Sequence, residues 1–283
     1  MTGQPDPVWA VIVALLGLCV GSFLNVIIYR LPRELSIVRP RSSCPHCRHR
    51  IAWHDNIPVV SYLVLGGHCR HCHAPVAMRY ALVELLTAAL FVGLYYWCGD
   101  GITLGVYWAL AAALVASTFI DFDFRIIPDE ITLTGIIVGL ALSAAFPSLH
   151  EVASRWLGLR QSLLGIVIGG GSLYLTGIIG NALFHKESMG GGDVKLLAMA
   201  GSVLGWKLVL VAFFIAPILA LLPGLIVLAT TKSHEIPYGP FLSLALVVVM
   251  VRGYAILDWS GVGQVLDAGM PIIWDTLRSW VGR

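Results

Sequence analysis

The stretch VWAVIVALLGLCVGSFLNVII, residues 8–28, holds no charged side chain. A helix needs about 20 consecutive apolar residues to cross a bilayer, so this stretch reads as a membrane span. A polar loop follows, about 30–79. It carries Arg30, Arg33, Arg39, Arg41, Arg48, Arg50, Arg70 and Arg79 against Glu34 and Asp55. Arginine-rich short loops stay on the cytoplasmic side, which sets the loop inside and the N-terminus outside. The opening MTGQPDPVWA lacks a basic n-region, so no cleavable signal peptide is expected and the first span is read as a retained anchor.

The rest of the chain has the same character. Of 283 residues, 58% are hydrophobic and 12% charged, and mean hydropathy is +0.84. Soluble domains carry about a quarter charged residues, so a soluble fold is excluded. Net charge is only +2, and no nucleic-acid partner is expected. Hydropathy predicts eight spans, near 8–28, 80–98, 102–120, 131–147, 161–184, 194–206, 208–230 and 238–257. The sixth is short for a crossing, and Pro217 and Pro223 are expected to kink the seventh. The fold class is therefore an all-α polytopic membrane protein of about eight transmembrane helices. A cytoplasmic four-cysteine loop domain lies between helices 1 and 2. The expected divisions are 1–29, 30–79, 80–257 and an interfacial, Trp-rich 258–283. GIVIGGGSLYLTGIIG, in the fifth span, spaces its glycines for helix–helix packing.

Four of the six cysteines form two CxxC pairs, Cys44 with Cys47 and Cys69 with Cys72, with 21 residues between. Two such knuckles read as a structural zinc site, because four thiolates close a tetrahedral shell and leave no open position. A redox dithiol pair is the competing reading. His46, His49, His68, His71 and His73 lie nearby and are expected to be solvated. Cys19 and Cys98, alone in apolar segments, read as buried thiols.

Acidic groups near a bilayer are costly and mark function by default. Glu84 falls inside the second span, and Asp121 and Asp123 at the inner end of the third. Asp129 and Glu130 open the fourth, where a helix N-terminus favours acids. Glu187 and Asp193 flank the glycines of MGGGDVKLLAMAG. Asp121 and Asp193 share a similar expected depth. Two facing carboxylates can share one proton, the division of labour of an aspartyl protease. Asp193 can equally be a helix cap after a glycine turn.

Ordered motifs then carry a resemblance: GSFLNVIIYRLPR from Gly21, CPHC from Cys44, WHDNIPVVSYL from Trp53 and GHCRHC from Gly67. RYALVELLTA follows from Arg79, IDFDFRIIPDEIT from Ile120, MGGGDVKLLA from Met189 and IPYGPFL from Ile236. The chain resembles the type IV prepilin peptidases, multi-pass enzymes of the bacterial inner membrane serving type IV pili and type II secretion. That resemblance implies an aspartyl peptidase body over 80–257. Asp121, followed seven residues later by Pro128, matches the family's first catalytic aspartate. Gly190, Gly192 and Asp193 match its GxGD motif, and Lys195, Glu187 and Asp123 match positions of supporting character.

Long members of the family cut a short basic leader from prepilins or pseudopilins at the cytoplasmic face. They then N-methylate the new terminus with S-adenosylmethionine. The long cysteine loop implies both activities here, although no glycine-rich nucleotide fingerprint supports the second. Asn25 and Glu84, polar groups near the interface, are the candidates for the methyl-donor site. Two rivals remain: a transporter or channel with a zinc-stabilised domain, whose acids would spread through the bilayer depth, and a presenilin-like protease cutting within spans.

Overall fold

Why the chain folds as helices separated by tight turns follows from its caps as much as from its hydropathy. In the computed structural model, which describes residues 6–99, 101–185, 189–230 and 237–266, Asp6 accepts the Val8 amide at 2.9 Å. Pro7 then fills the first helical position, where no N–H is needed. The resulting α1 runs Pro7–Arg30. The cysteine loop follows, containing the short α2, Val60–Val64. Beyond it come α3 (Arg79–Cys98), α4 (Ile102–Phe124), α5 (Asp129–Ala145), α6 (Arg155–Phe184), α7 (Gly191–Leu204), α8 (Trp206–Thr230) and α9 (Gly239–Ser260). No strand occurs among the described residues, only isolated bridges at Ser43–Arg50 and His68–Pro75.

All eight predicted apolar segments are helical. Six of the helices, α1, α3, α4, α6, α8 and α9, are long and apolar enough to cross a membrane. The other two have 17 residues (α5) and 14 (α7), so the sixth segment is as short as its sequence suggests. Two details differ from expectation, the start of α6 and the burial of the lone cysteines. α6 begins at Arg155, six residues before the predicted 161, because Ser154 caps it by accepting the Leu157 amide at 3.2 Å. Pro217 and Pro223 both lie inside the single helix α8. Cys19 is exposed and Cys98 half-buried, so neither is the buried thiol expected. The expected C-terminal segment, 258–283, lies outside the described residues beyond 266.

The chain divides into two compact units, residues 1–135 and 136–283. In the first, α1 packs on α3, and both contact α4. Leu24, Ile28, Val83, Val115, Ala116 and Ile120 form its buried core. The α1–α3 contact is unusually close. A Cβ at Gly17 would lie 2.6 Å from the Ala88 Cα, and one at Gly21 2.6 Å from the Glu84 Cα. This is the small-xxx-small packing that lets helix backbones touch in a bilayer.

The second unit uses the same device. Gly165 and Gly169 of α6 meet the α7 backbone at Gly201 and Leu197, so the glycine-rich run is a helix contact, as expected. At the far end of α7, the Ser143 and Ser162 hydroxyls donate to the Ser202 carbonyl at 3.0 and 2.7 Å. His150 lies 2.9 Å from the Ser143 hydroxyl, and all four side chains are buried. Burial holds the His150 imidazole down to about 4, so it is neutral at physiological pH.

Candidate functional site

The cysteine loop is built as two copies of one turn. In the first, the Cys44 amide donates to the His49 carbonyl and the Arg48 amide to the Cys44 carbonyl, each at 2.9 Å. In the second, the Cys69 amide donates to the Ala74 carbonyl and the His73 amide to the Cys69 carbonyl, again at 2.9 Å. Arg48 and His73, each four residues after the first cysteine of its turn, both adopt left-handed backbone, φ 58° and 54°. The two turns bring all four sulfurs within 4.8 Å of one another.

The Cys44 and Cys72 sulfurs are 3.8 Å apart. That is far beyond a disulfide bond of about 2.05 Å. It matches the edge of about 3.8 Å that follows from a tetrahedron with 2.3 Å zinc–sulfur bonds. The donor set therefore fits a four-thiolate metal. The amides of Cys72 and His71 hold the Cys69 thiol down to about 7. The Cys72 thiol, despite the Ala74 amide, is pushed up to about 11 by burial and the neighbouring sulfurs. All five nearby histidines are exposed, and the rings of His49 and His71 meet at 3.5 Å between the two turns. Arg70 grips Asp55 through both Nε and a terminal nitrogen, at 2.6–3.0 Å. That grip ties the second turn to the 3-10 turn Trp53–Asn56 and keeps the Asp55 carboxyl below its ordinary range.

Between this loop and the α1–α3 pair lies a cavity of about 550 Å³. Asn25 and Glu84, named from sequence as candidates for one site, both line it, and so do Cys44 and Cys69. Both side chains are buried. Asn25 donates to the Tyr80 carbonyl at 3.0 Å. Glu84 accepts the Val59 amide at 2.7 Å, and Ser22 of α1 lines the same cavity. Val59 holds a left-handed backbone, φ 60°, which a β-branched residue adopts only when its surroundings impose it. Sequence reasoning missed Val59, whose backbone rather than side chain makes the contact, and Ser61. The Ser61 hydroxyl donates to the His54 carbonyl and accepts the Ile57 amide, both at 2.9 Å.

The aspartates occupy different seats. Asp121 is buried in the last turn of α4, where its carbonyl accepts the amide of Arg125, the left-handed residue that ends the helix. Asp123, two residues on, is ion-paired with Arg79, whose second terminal nitrogen donates to the Phe119 carbonyl at 3.0 Å. The Arg79 pair gives Asp123 a job in joining the start of α3 to the end of α4. Asp129 and Glu130 lie in the first turn of α5, as the helix dipole favours.

In the second unit, Gly190 caps α7 and Asp193 is its third residue. The Asp193 amide donates to the Gly190 carbonyl at 3.2 Å, and a Cβ on Gly190 would lie 3.1 Å from an Asp193 carboxylate oxygen. Gly190 has φ −71°, so the glycine leaves room beside the carboxylate and serves no unusual backbone. Gly192 and Lys195 lie on either side of Asp193, half-buried. Glu187 lies outside the described residues. Sequence reasoning also missed Tyr238, the residue before α9. It is half-buried, and the Asp193 charge reaches its phenol. The only signal was its place in IPYGPFL.

Comparisons with known proteins find two family matches along the chain. Residues 15–98, which include the cysteine loop, Asn25 and Glu84, match the model of the Bacterial Peptidase A24 N-terminal domain. Residues 108–225, which include Asp121 and Asp193, match the Type IV leader peptidase family. A prepilin leader peptidase/N-methyltransferase of Myxococcus xanthus is 40% identical, over 82% of this chain and 67% of the relative. Proteins of the same name from Aeromonas hydrophila and Neisseria gonorrhoeae are 34% and 36% identical. The first match covers 88% of this chain and 92% of the relative, the second 82% and 86%. No solved structure matches the chain. With relatives this similar over most of both chains, the chain belongs to the type IV leader peptidase family.

Proposed function

We propose that this chain is an inner-membrane aspartyl endopeptidase that removes the leader of type IV prepilins or pseudopilins and then N-methylates the new terminus. The observation that carries the peptidase half is the seating of two aspartates at helix ends. Asp121 is buried in the last turn of α4 and Asp193 half-buried in the first turn of α7. On this reading the two carboxyls face one scissile peptide and share one proton, because two like charges at close range do not both ionise easily. The ionised carboxylate takes a proton from the attacking water, and its partner gives its proton to the carbonyl oxygen. The tetrahedral intermediate then collapses, and the amine leaves with a proton from the carboxyl that accepted one. The arginine-rich loop supports a cytoplasmic active face with both termini outside, and this topology requires that all eight apolar helices cross.

For methylation, the cavity holding Asn25 and Glu84 is our candidate for the donor site. S-adenosylmethionine supplies an electrophilic methyl group there. The buried Glu84 carboxylate can hold the substrate's terminal ammonium and take up its proton, and the Asn25 amide can orient a polar group of the donor. Zinc is the metal we assign to Cys44, Cys47, Cys69 and Cys72. Its closed thiolate shell would fix the loop that roofs the cavity and would take no part in the reaction.

The test is the mass of the product formed by purified full-length protein from purified prepilin. With S-adenosylmethionine the product should lack the leader and carry one methyl group, and without it the methyl group should be missing. Intact prepilin under both conditions refutes the peptidase, and a cleaved but unmethylated product in the presence of the donor refutes the second activity.

A further inference from the structure

The cysteine loop reads as cytoplasmic throughout, yet one part of it does not stay at the level of the loop. Glu84 lies five residues beyond Arg79, where α3 starts. At 1.5 Å per residue, it stands about 7.5 Å along the span. The Arg79–Asp123 ion pair marks the polar end of α3 and α4. Glu84 nevertheless accepts the Val59 amide at 2.7 Å. The Glu84 side chain leans back toward the start of α3, yet the backbone just before α2 is held by a residue within the span and not by one at its polar end.

The side chains agree with this placement. Val60, Leu63 and Val64 share one face of α2, at the i, i+3 and i+4 positions, and are 51%, 71% and 74% exposed. Ser61, Tyr62 and Leu65 turn the other way and line the cavity. In water such a face would be a liability. Glu84, which holds the Val59 amide, stands in sequence between Leu82 and Leu85, exposed apolar side chains of α3 of the kind a span offers to lipid. Trp53, 82% exposed ahead of α2, has the amphipathic ring that favours headgroup level.

The backbone agrees too. Apolar surroundings demand that amides be satisfied within the protein. Those of Ile57, Val59, Ser61, Leu63, Leu65 and Gly67 have partners at 2.7–3.0 Å, so most of the segment's amides are satisfied internally. The Tyr62 amide, on the cavity side of α2, has no partner among the loop and cap hydrogen bonds.

We propose that residues 57–65 form a membrane-inserted segment, with the Val60, Leu63 and Val64 face of α2 seated among lipid acyl chains. The cavity then opens beside the bilayer rather than into bulk cytoplasm, because its outer wall is a lipid-embedded turn.

The test uses metal-loaded, full-length protein in phosphatidylethanolamine–phosphatidylglycerol vesicles containing a phospholipid with a diazirine in its acyl chain. After irradiation, mass spectrometry maps the adducts. Adducts on residues 57–65 should match those on 82–86 and exceed those on 44–50 about tenfold, as insertion into the acyl region requires. Labelled 82–86 with bare 57–65 overturns the proposal. Adducts on 57–65 that vanish when prepilin is added would assign the face to the substrate helix and overturn it as well. The Leu63→Asn/Val64→Asn variant should lose its 57–65 adducts and keep those on 82–86. Unchanged labelling in a variant that still holds its metal would likewise refute insertion.

Discussion

Gly21→Ala separates the two activities, and its effect can be worked from the α1–α3 contact. A Cβ at residue 21 would lie 2.6 Å from the Glu84 Cα, 3.1 Å from the Val83 carbonyl oxygen and 3.2 Å from the Glu84 carbonyl oxygen. All three are backbone-defined atoms, so no side-chain rotation relieves the clash. Carbon atoms rest at about 3.5–4.0 Å, so α1 and α3 must part locally by about 1 Å. Overpacking of this kind costs about 1–3 kcal/mol, which a membrane bundle can absorb. The displaced residue is Glu84 itself, relative to Ser22 and Asn25 on α1. A misplacement of about 1 Å at a reacting group costs on the order of a hundredfold in rate. Methylation of a pre-cleaved pilin should therefore fall about a hundredfold, while leader removal changes within a few-fold. The assay follows both products by mass in a single time course, with metal content as the check on folding. An unchanged methylation rate, or an equal loss of both activities in a metal-loaded variant, refutes the assignment of Glu84 to methyl transfer.

Further outcomes follow from other sites. Cys69→Ser should reduce bound metal from about one equivalent per chain and lower methylation more than cleavage, because Cys69 both belongs to the sulfur cluster and lines the cavity. Gly190→Ala should slow cleavage about tenfold by crowding the Asp193 carboxylate, 3.1 Å from the new Cβ, and leave methylation of pre-cleaved pilin intact. His150, held down to about 4 against an ordinary value of 6.5, makes stability pH-dependent. The unfolded chain binds its proton first, so the stabilisation is complete above about pH 6.5 and is lost as pH falls towards 4, by about 3 kcal/mol in all. Thermal unfolding in detergent should show that decline, and His150→Gln should flatten it.

Much of the architecture was legible because membrane spans and metal knuckles are local signals. The run from residue 8 to 28 announces α1, and two CxxC pairs announce the sulfur cluster. The early start of α6 was legible only from its cap, since Ser154 precedes residues too polar to score as a span. The long-range polar partners were not legible. Asp123 meets Arg79 across 44 residues, and nothing in either segment names the other. Glu84 could be picked out as a buried acid, but its partner is the backbone amide of Val59, which leaves no mark on side-chain chemistry. The role of Gly190 was only half legible: the sequence suggests a turn glycine, whereas its φ is ordinary and its missing side chain leaves room beside the Asp193 carboxylate. The five-residue α2 is too short for any periodicity, so its exposed apolar face emerges only once the chain is folded.

The central claim is that Asp121 and Asp193 act together on one peptide bond. Asp121→Asn and Asp193→Asn each keep the size of the side chain and remove its ability to ionise. Purified in metal-loaded form and incubated with prepilin, each variant should leave the leader in place, while still methylating a pilin supplied already cleaved. Leader removal at the normal rate by either variant would contradict the account.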